Sequence, residues 1–270
     1  MFQDDYIVST VPACTEMADM LWVSGLMLSE RERERYTRQL PLIGEDGQER
    51  LRGASVCVAG AGGLGSPVLL YLAAAGVGRI RLVDPDRVER NNLNRQILHS
   101  EADIGRFKVE SAAEKLRALN PDIEVEALPA AVDSGNASQM ARGMDLLLDA
   151  LDNYEGRYIL NSAAFERKIP LVHAAVSGFH GQLTTVIPGK TACLQCAMPH
   201  PPEGEDTAII GVTAGIVGLL QALEAIKILL RKGEIAGNVL LVWDGLWCRL
   251  DQIPLSRDPD CMVCGTGDYR

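Results

Sequence analysis

A strand-length apolar run, Ala54-Ser-Val-Cys-Val-Ala59, ends directly in Gly60-Ala-Gly62-Gly63-Leu-Gly65, and a helix-forming stretch continues to Gly76. Glycines let the backbone turn tightly between strand and helix and come close to phosphate oxygens. The helix that opens there offers unpaired N–H groups and the positive end of its dipole. The next strand, Arg79–Val83, closes on Asp84, 19 positions beyond Gly65, where a carboxylate can accept from ribose hydroxyls. The pattern points to a nucleotide without saying which one, and a strand–helix turn that binds nothing carries the same glycines.

The alternation continues downstream. A helix over Lys108–Leu119 stops before Asn120-Pro121, and strand Ile123–Leu128, a polar helix, strand Asp145–Leu148, helix Gly156–Arg167 and strand Leu171–Ala174 come next. Strands apolar on both faces belong in a parallel sheet covered by helices. The expected fold is therefore α/β, a doubly wound, Rossmann-like, mainly parallel sheet. After Ala174 the pattern changes. Val176–Ile187 alternates as antiparallel strands do, and a long apolar helix runs from about Gly211 to Leu230. Short strands Val239–Trp243 and Trp247–Ile253 then form an antiparallel C-terminal extension. Upstream, Ser29-Glu-Arg-Glu32 is a capping box opening a charged helix to about Gln39, and a short helix covers Gly47–Leu51. Residues 1–28 share no period with the rest and read as an N-terminal extension; residues 29–270 read as one domain.

A net charge of −10 and a pI of about 5.0 count against nucleic acid or an anionic membrane as partners. The start, MFQDDYIV, has acids where a signal peptide carries Lys or Arg. The apolar run Ile209–Leu220 is shorter than the ~20 residues a membrane span needs, so a buried helix and a cytoplasmic protein are expected. Four of the seven cysteines form two pairs, Cys193-x-x-Cys196 and Cys261-x-x-Cys264, separated by 64 residues. Two such pairs suit tetrahedral Zn²⁺ in a closed structural site; two independent redox dithiols are the rival. Cys14, Cys57 and Cys248 look ordinary. His99, His173, His180 and His200 show no ligand spacing and read as structural or surface residues.

The segment after Asp84 bears on the choice of nucleotide. Asn91-Asn92-Leu93-Asn94-Arg95-Gln96 is polar with a cation near its end, and Lys108 lies 13 positions beyond Arg95. A dehydrogenase needs an apolar nicotinamide pocket here, whereas a triphosphate needs cations. Read blandly, both are solvated surface charges. The string Asp149-Ala-Leu-Asp152-Asn153 leaves the carboxyl end of a strand, where ligands bind in this fold class. A carboxylate there can hold Mg²⁺ against phosphate oxygens, and Asp152 is assigned that role. Asp149 reads as structural, since Asp or Asn after a strand is also a common helix cap.

These strings together resemble the ThiF/MoeB/HesA family, relatives of ubiquitin-activating enzymes. The resemblance rests on YTRQL at Tyr36–Leu40, GAGGLG at Gly60–Gly65, Asp84 through NNLNRQ, HSEADIGRFKVESA at His99–Ala112, LDN at Leu151–Asn153, both cysteine pairs and GLLQALEAIK at Gly218–Lys227. It covers roughly Leu28 to Gly265. It implies ATP-dependent adenylylation of the C-terminal glycine carboxylate of a small ubiquitin-like sulfur carrier ending in Gly-Gly. It places the glycine turn (Gly60, Gly62, Gly63, Gly65) on the nucleotide, with Gly63 in contact, and Asp84 on the ribose. It sets Asn91, Asn92, Asn94, Arg95 and Lys108 around the phosphates, and Asp152 with Asn153 on Mg²⁺ and nucleotide. The resemblance also implies a homodimer in which Arg38 enters the neighbouring subunit's site, and zinc on Cys193, Cys196, Cys261 and Cys264. An ionised carboxylate attacking phosphorus needs no general base, only charge neutralisation and alignment from Arg38, Arg95, Lys108 and Mg²⁺. Some members use a cysteine between the first pair and the long helix; Ala197 to Gly218 contains none. Adenylylation alone is therefore expected, with sulfur from a separate protein. A ThiF-like dehydratase acting on modified tRNA, a non-catalytic nucleotide-binding partner and a nicotinamide-dependent dehydrogenase are the alternatives.

Overall fold

A computed structural model describes residues 28–200 and 208–265. The strands are β1 Ser55–Ala59, β2 Arg79–Val83, β3 Glu124–Leu128, β4 Leu146–Asp149, β5 Leu171–Ser177, β6 His180–Val186, β7 Val239–Asp244 and β8 Arg249–Pro254. The α-helices are α1 Glu30–Arg35, α2 Leu40–Gly53, α3 Gly65–Ala75, α4 Lys108–Leu119, α5 Ala137–Met140, α6 Tyr154–Arg167, α7 Leu194–Ala197 and α8 Gly211–Leu230. One sheet holds the strands in the order β3-β2-β1-β4-β5-β6-β7-β8. The first five run parallel and the last three antiparallel.

Successive side chains of a strand face opposite sides, so each apolar run feeds two layers. Val56, Val58, Leu146 and Leu148 pack with Val68 and Leu72 of α3, Val109 and Leu116 of α4, and Val217 of α8. Cys57, Ala59 and Leu147 face the other way, toward Met140 of α5 and Leu160 and Phe165 of α6. Each fully buried leucine here contributes about 1.5–3 kcal/mol by leaving water. This two-layer demand is why β1 and β4 read as apolar runs, whereas β2 and β3 alternate Arg or Glu with apolar residues.

Several boundaries match the sequence reading, among them Arg79–Val83, Lys108–Leu119 and Gly211–Leu230. The Ser29 capping box is present: its hydroxyl accepts from Glu32 N at 3.2 Å, and the Glu32 carboxylate accepts from Ser29 N at 2.8 Å. One helix differs. The expected Gly47–Leu51 segment is the second half of α2, which begins at Leu40 and breaks at Gly44 (φ 73°). Pro41 sits in the first turn, where its missing N–H costs nothing, and Gly44 then masks the period. Residues 1–27, 201–207 and 266–270 lie outside the described residues; Leu28 is already buried.

By length and composition α8 could cross a membrane, which corrects the sequence reading of its apolar run as too short. Here it is stitched to the sheet by buried polar groups. Gln221 Nε2 donates to Asp149 O at 2.8 Å and Val172 O at 2.9 Å, and the Glu224 carboxylate accepts from Thr185 Oγ1 at 2.9 Å.

From β1 the chain moves outward to β2, while β4 lies on β1's other flank, so the order reverses between them. A crevice opens at such a switch point, at the carboxyl ends of the strands. Gly60 leaves β1 there with φ 103°, and a Cβ on it would overlap the carbonyl of Ala150, which leaves β4.

Candidate active site

The glycine turn divides by role. A Cβ at Gly65 would overlap Gly60 O, so Gly60 and Gly65 serve the close packing of turn, helix and strand. At Gly62 an added Cβ would meet nothing nearer than Gln96 Nε2 at 3.5 Å, and at Gly63 its nearest neighbours are Ala214 Cβ at 3.1 Å and Arg95 Cγ at 3.6 Å. Gly62 is the open position of the turn, while Gly63 lies close against Ala214. Helix α3 starts beyond them with no side-chain cap; Ser66 N–H donates to Gly62 O at 2.9 Å and Pro67 has no N–H, so a ligand would meet the N–H groups of the turn before Ser66.

Asp84, at the end of β2, is buried and bound to the turn: its Oδ2 accepts from Ala61 N and its Oδ1 from Asp86 N, both at 2.8 Å. Burial pushes its carboxyl above the ordinary value, while the Lys108 charge and those two N–H groups pull it down. The Lys108 side chain is only 7% exposed and its Nζ donates to Asp86 Oδ2 at 2.8 Å. Thus Lys108 faces the Asp84 corner of the turn and Arg95 lies beside Gly63. The Arg95 guanidinium donates to Asn91 O at 2.8 Å and Asn94 Oδ1 at 3.2 Å. The Arg95 stem thus lies beside the glycine turn with its guanidinium on the 91–94 loop, and the Lys108 ammonium lies next to Asp84 on Asp86.

The asparagines differ. Asn91 and Asn94 are exposed, but Asn92 is buried, with Oδ1 accepting from Glu89 N at 3.0 Å and Nδ2 donating to Asn91 Oδ1 at 2.7 Å. It staples its own loop rather than opening toward the glycine turn. Asn153 is the N-cap of α6, its Oδ1 accepting from Gly156 N at 2.8 Å. Asp152 beside it is exposed, its carboxylate in contact only with Asn153 Nδ2 at 3.4 Å among the described residues. A free carboxylate at this edge, with a polar loop opposite, is the hard oxygen donor that Mg²⁺ takes.

Three residues of this region carry no ligand role in the sequence reading, which takes His99 as structural or surface. Gln96 is 4% exposed, and its Oε1 has no hydrogen-bond partner. Buried amides are normally satisfied, so an unpaired Oε1 on a side chain whose Nε2 stands against Gly62 fits a polar ligand beside this turn. Arg157 is 5% exposed; it donates to Leu151 O at 2.8 Å and lies 4.8 Å over the Tyr154 ring, yet its Nε has no partner. His99 pins the turn from below, Nε2 donating to Ala61 O at 3.0 Å and Nδ1 accepting from Ser111 Oγ at 2.9 Å. Burial lowers its basicity and keeps the ring neutral. None is legible from spacing, because each role depends on a contact across the fold.

Arg38 is not part of this group. Its turn is tied to the opposite edge: Gln39 Nε2 donates to Ala75 O at 2.9 Å, and Asn120 Nδ2 to Tyr36 Oη at 2.9 Å. Ala75 and Asn120 precede β2 and β3, so exposed Arg38 stands about one strand, roughly 16 Å, from its own glycine turn.

The four cysteines do come together. Their sulfurs lie within 4.8 Å of one another, with Cys193–Cys261 at 3.6 Å, Cys196–Cys264 at 3.4 Å and Cys193–Cys196 at 3.8 Å. Four thiolates about 2.3 Å from one tetrahedral Zn²⁺ would be about 3.8 Å apart, so the donor set and spacing fit that ion. Burial pushes the Cys193 thiol up, whereas at Cys261 it is outweighed by N–H groups of Cys264 and Val263, which bring that thiol down to about 7.

Comparison with known proteins is consistent with this geometry. A profile described as the ThiF family matches residues 36–263. The SAMP-activating enzyme E1 of Haloferax volcanii is 43% identical over 250 residues, covering 90% of this chain and 92% of that protein. The sulfur carrier protein adenylyltransferase of Thermus thermophilus is 43% identical, covering 88% and 92%. The adenylyltransferase and sulfurtransferase MOCS3 of Mus musculus is 44% identical, but the chain spans only 54% of its length. Among solved structures, E. coli MccB with ATP superposes with a TM-score of 0.76 at 25% identity, covering 86% of this chain and 74% of that one.

Proposed function

The chain belongs to the ThiF family, and from that premise we propose that it adenylylates the C-terminal glycine carboxylate of a small ubiquitin-like sulfur carrier at the expense of ATP. The observation that supports the reading is an open glycine turn at the switch point of the sheet, with the Arg95 stem beside Gly63 and Lys108 paired to Asp86 next to Asp84.

The carrier carboxylate attacks the α-phosphorus of ATP, the P–O bond to the β-phosphate breaks, and pyrophosphate leaves. Both reactants are anions, so the chain's task is to hold them together against repulsion. The N–H groups of the Gly62–Gly63 turn take the phosphates, and Asp84 takes the ribose hydroxyls. Arg95 and Lys108, with Asn91 and Asn94, offset the charge that gathers on the leaving group. Asp152, beside Asn153, holds Mg²⁺, which supplies Lewis-acid charge neutralisation when bound. No side chain has to remove a proton, in keeping with His99 and His173 being fully engaged elsewhere.

Arg38 completes the site from a second copy in a homodimer, since its own turn is at the far edge. The four cysteines hold Zn²⁺ with no open position and shape the C-terminal part of a single domain over 29–270. Sulfur comes from a separate protein, and the thiols belong in a reducing, cytoplasmic setting. The test is isotope exchange. With a carrier ending in Gly-Gly the protein is expected to exchange labelled pyrophosphate into ATP, and with a carrier lacking the terminal glycine it is not. Equal exchange with both carriers would overturn the carboxylate assignment.

A further inference from the structure

Directly beneath the strand-to-helix turn that carries Asp152 lies an acid–imidazole pair with no solvent access. His173 on β5 is the cross-strand neighbour of Asp149 on β4; His173 Nδ1 is 2.6 Å from Asp149 Oδ2, and both side chains are 0% exposed. A carboxylate can only accept here, so the Nδ1–H donates. Asp149 passes the constraint on. Its Oδ1 accepts from Leu151 N at 3.1 Å, and its main-chain oxygen accepts from Gln221 Nε2 at 2.8 Å. Leu151 O in turn accepts from Arg157 Nη2 at 2.8 Å, and Asn153 caps α6. Every residue around Asp152 is therefore tied down, while the Asp152 carboxylate projects into solvent. A carboxyl buried away from water is costly to keep even with its two hydrogen bonds, and a surface turn does not need one to form.

We propose that Asp149 and His173 are positioning residues for the Asp152 carboxylate, fixing the 149–153 turn so that the metal-holding oxygens are preset before Mg²⁺ and nucleotide arrive. The inference rests on the function assigned above. The imidazole N–H, rather than the ring's bulk, is then what matters. Removing an outer partner of this kind costs about tenfold to a hundredfold in metal affinity.

The experiment titrates Mn²⁺, as a paramagnetic stand-in for Mg²⁺, into full-length protein holding a non-hydrolysable ATP analogue. It compares wild type, His173→Ala and His173→Asn, with circular dichroism and thermal melting on each. Asn places an amide N–H where Nδ1–H was. The expected result is a Mn²⁺ dissociation constant raised about tenfold or more in His173→Ala, and restored to within about threefold in His173→Asn. In pyrophosphate exchange the loss should fall on kcat and on the Mg²⁺ requirement, with the carrier KM unchanged. A folded His173→Ala with wild-type Mn²⁺ affinity overturns the proposal. So does a folded His173→Asn that has lost affinity, which also decides the matter if the alanine variant does not fold. Wild type that binds Mn²⁺ and the analogue but exchanges no pyrophosphate overturns the functional reading, while the titration still tests the pair.

Discussion

The turn after β1 and the cluster beside β6 both collect polar atoms next to a strand end, and they dispose of them in opposite ways. At the cysteines, four sulfurs turn inward within 4.8 Å of one another, and Cys193, Cys261 and Cys264 are buried. At the glycine turn the scaffold bonds are made below the surface, by His99 to Ala61 and by Asp84 to Ala61, while Arg95 and Asp152 keep unused capacity facing outward. A closed donor set can only hold; an open one can also transfer. The largest expected effect comes from that difference. Asp152→Ala should lower pyrophosphate exchange by about a hundredfold to a thousandfold, the scale for losing one preorganised charge-stabilising group. Because Asp152 touches only Asn153 among the described residues, Tm should stay within about 2 °C. Unchanged exchange would break the comparison on the open side.

The closed side should answer in the reverse sense. Cys193→Ser removes a fully buried ligand, and a structural metal site contributes directly to folding. Zinc content should fall, and Tm should drop by about 10 °C, corresponding to several kcal/mol for a chain of this size. Below the new Tm, exchange per folded molecule should remain within about threefold of wild type. Fully folded, metal-free wild-type protein would count against the zinc assignment.

The glycine turn contains the same contrast within six residues. Gly60→Ala meets both a φ of 103° and the Ala150 carbonyl, so it should cost about 1–3 kcal/mol in backbone strain alone and lower Tm by several degrees. Gly62→Ala has room at its Cβ and should leave Tm nearly unchanged, yet raise the KM for ATP, because the methyl stands where the backbone approaches phosphate. A reversal of the two phenotypes would assign the open position to the wrong glycine.

That division is only partly legible in the sequence. The motif announces a glycine turn, but which glycines pack and which open depends on Ala150, 85 positions beyond Gly65. The elements are readable where one physical demand acts alone: two-faced burial marks β1 and β4, and the Leu119-Asn-Pro break ends α4. Helix α2 reads as shorter than it is because Gly44 interrupts its period. Arg38 carries no sign in its neighbours that the fold sends it to the opposite edge; Gln39 and Tyr36 decide that by bonding to Ala75 and Asn120, 36 and 84 residues away. His173 reads as structural because a histidine in an apolar strand usually is, and its partner lies on the adjacent strand, 24 residues earlier. Asn92 looks like its neighbours in composition and differs from them only in which way its amide turns.

The smallest expected effect concerns the loop that delivers Lys108. Asp103 sits in it, largely out of solvent. Burial alone would raise its carboxyl, but the Lys115 ammonium and the Ser100 hydroxyl and N–H outweigh that and hold it well below the ordinary value. A carboxylate lowered in the fold relative to about 3.9 in the unfolded chain stabilises the protein above roughly pH 4. That contribution is lost as pH falls further toward the folded value. Lys115 remains about one-third exposed, so solvent screens the pair and the contribution is about 1 kcal/mol or less. Asp103→Asn should therefore lower stability slightly at pH 7 and flatten its decline between about pH 4 and pH 2, measured by urea unfolding across that range. The loop also carries Arg106, paired with Asp103 at 3.2 Å, and leads directly into Lys108. A variant as acid-sensitive as wild type would place the weak point elsewhere.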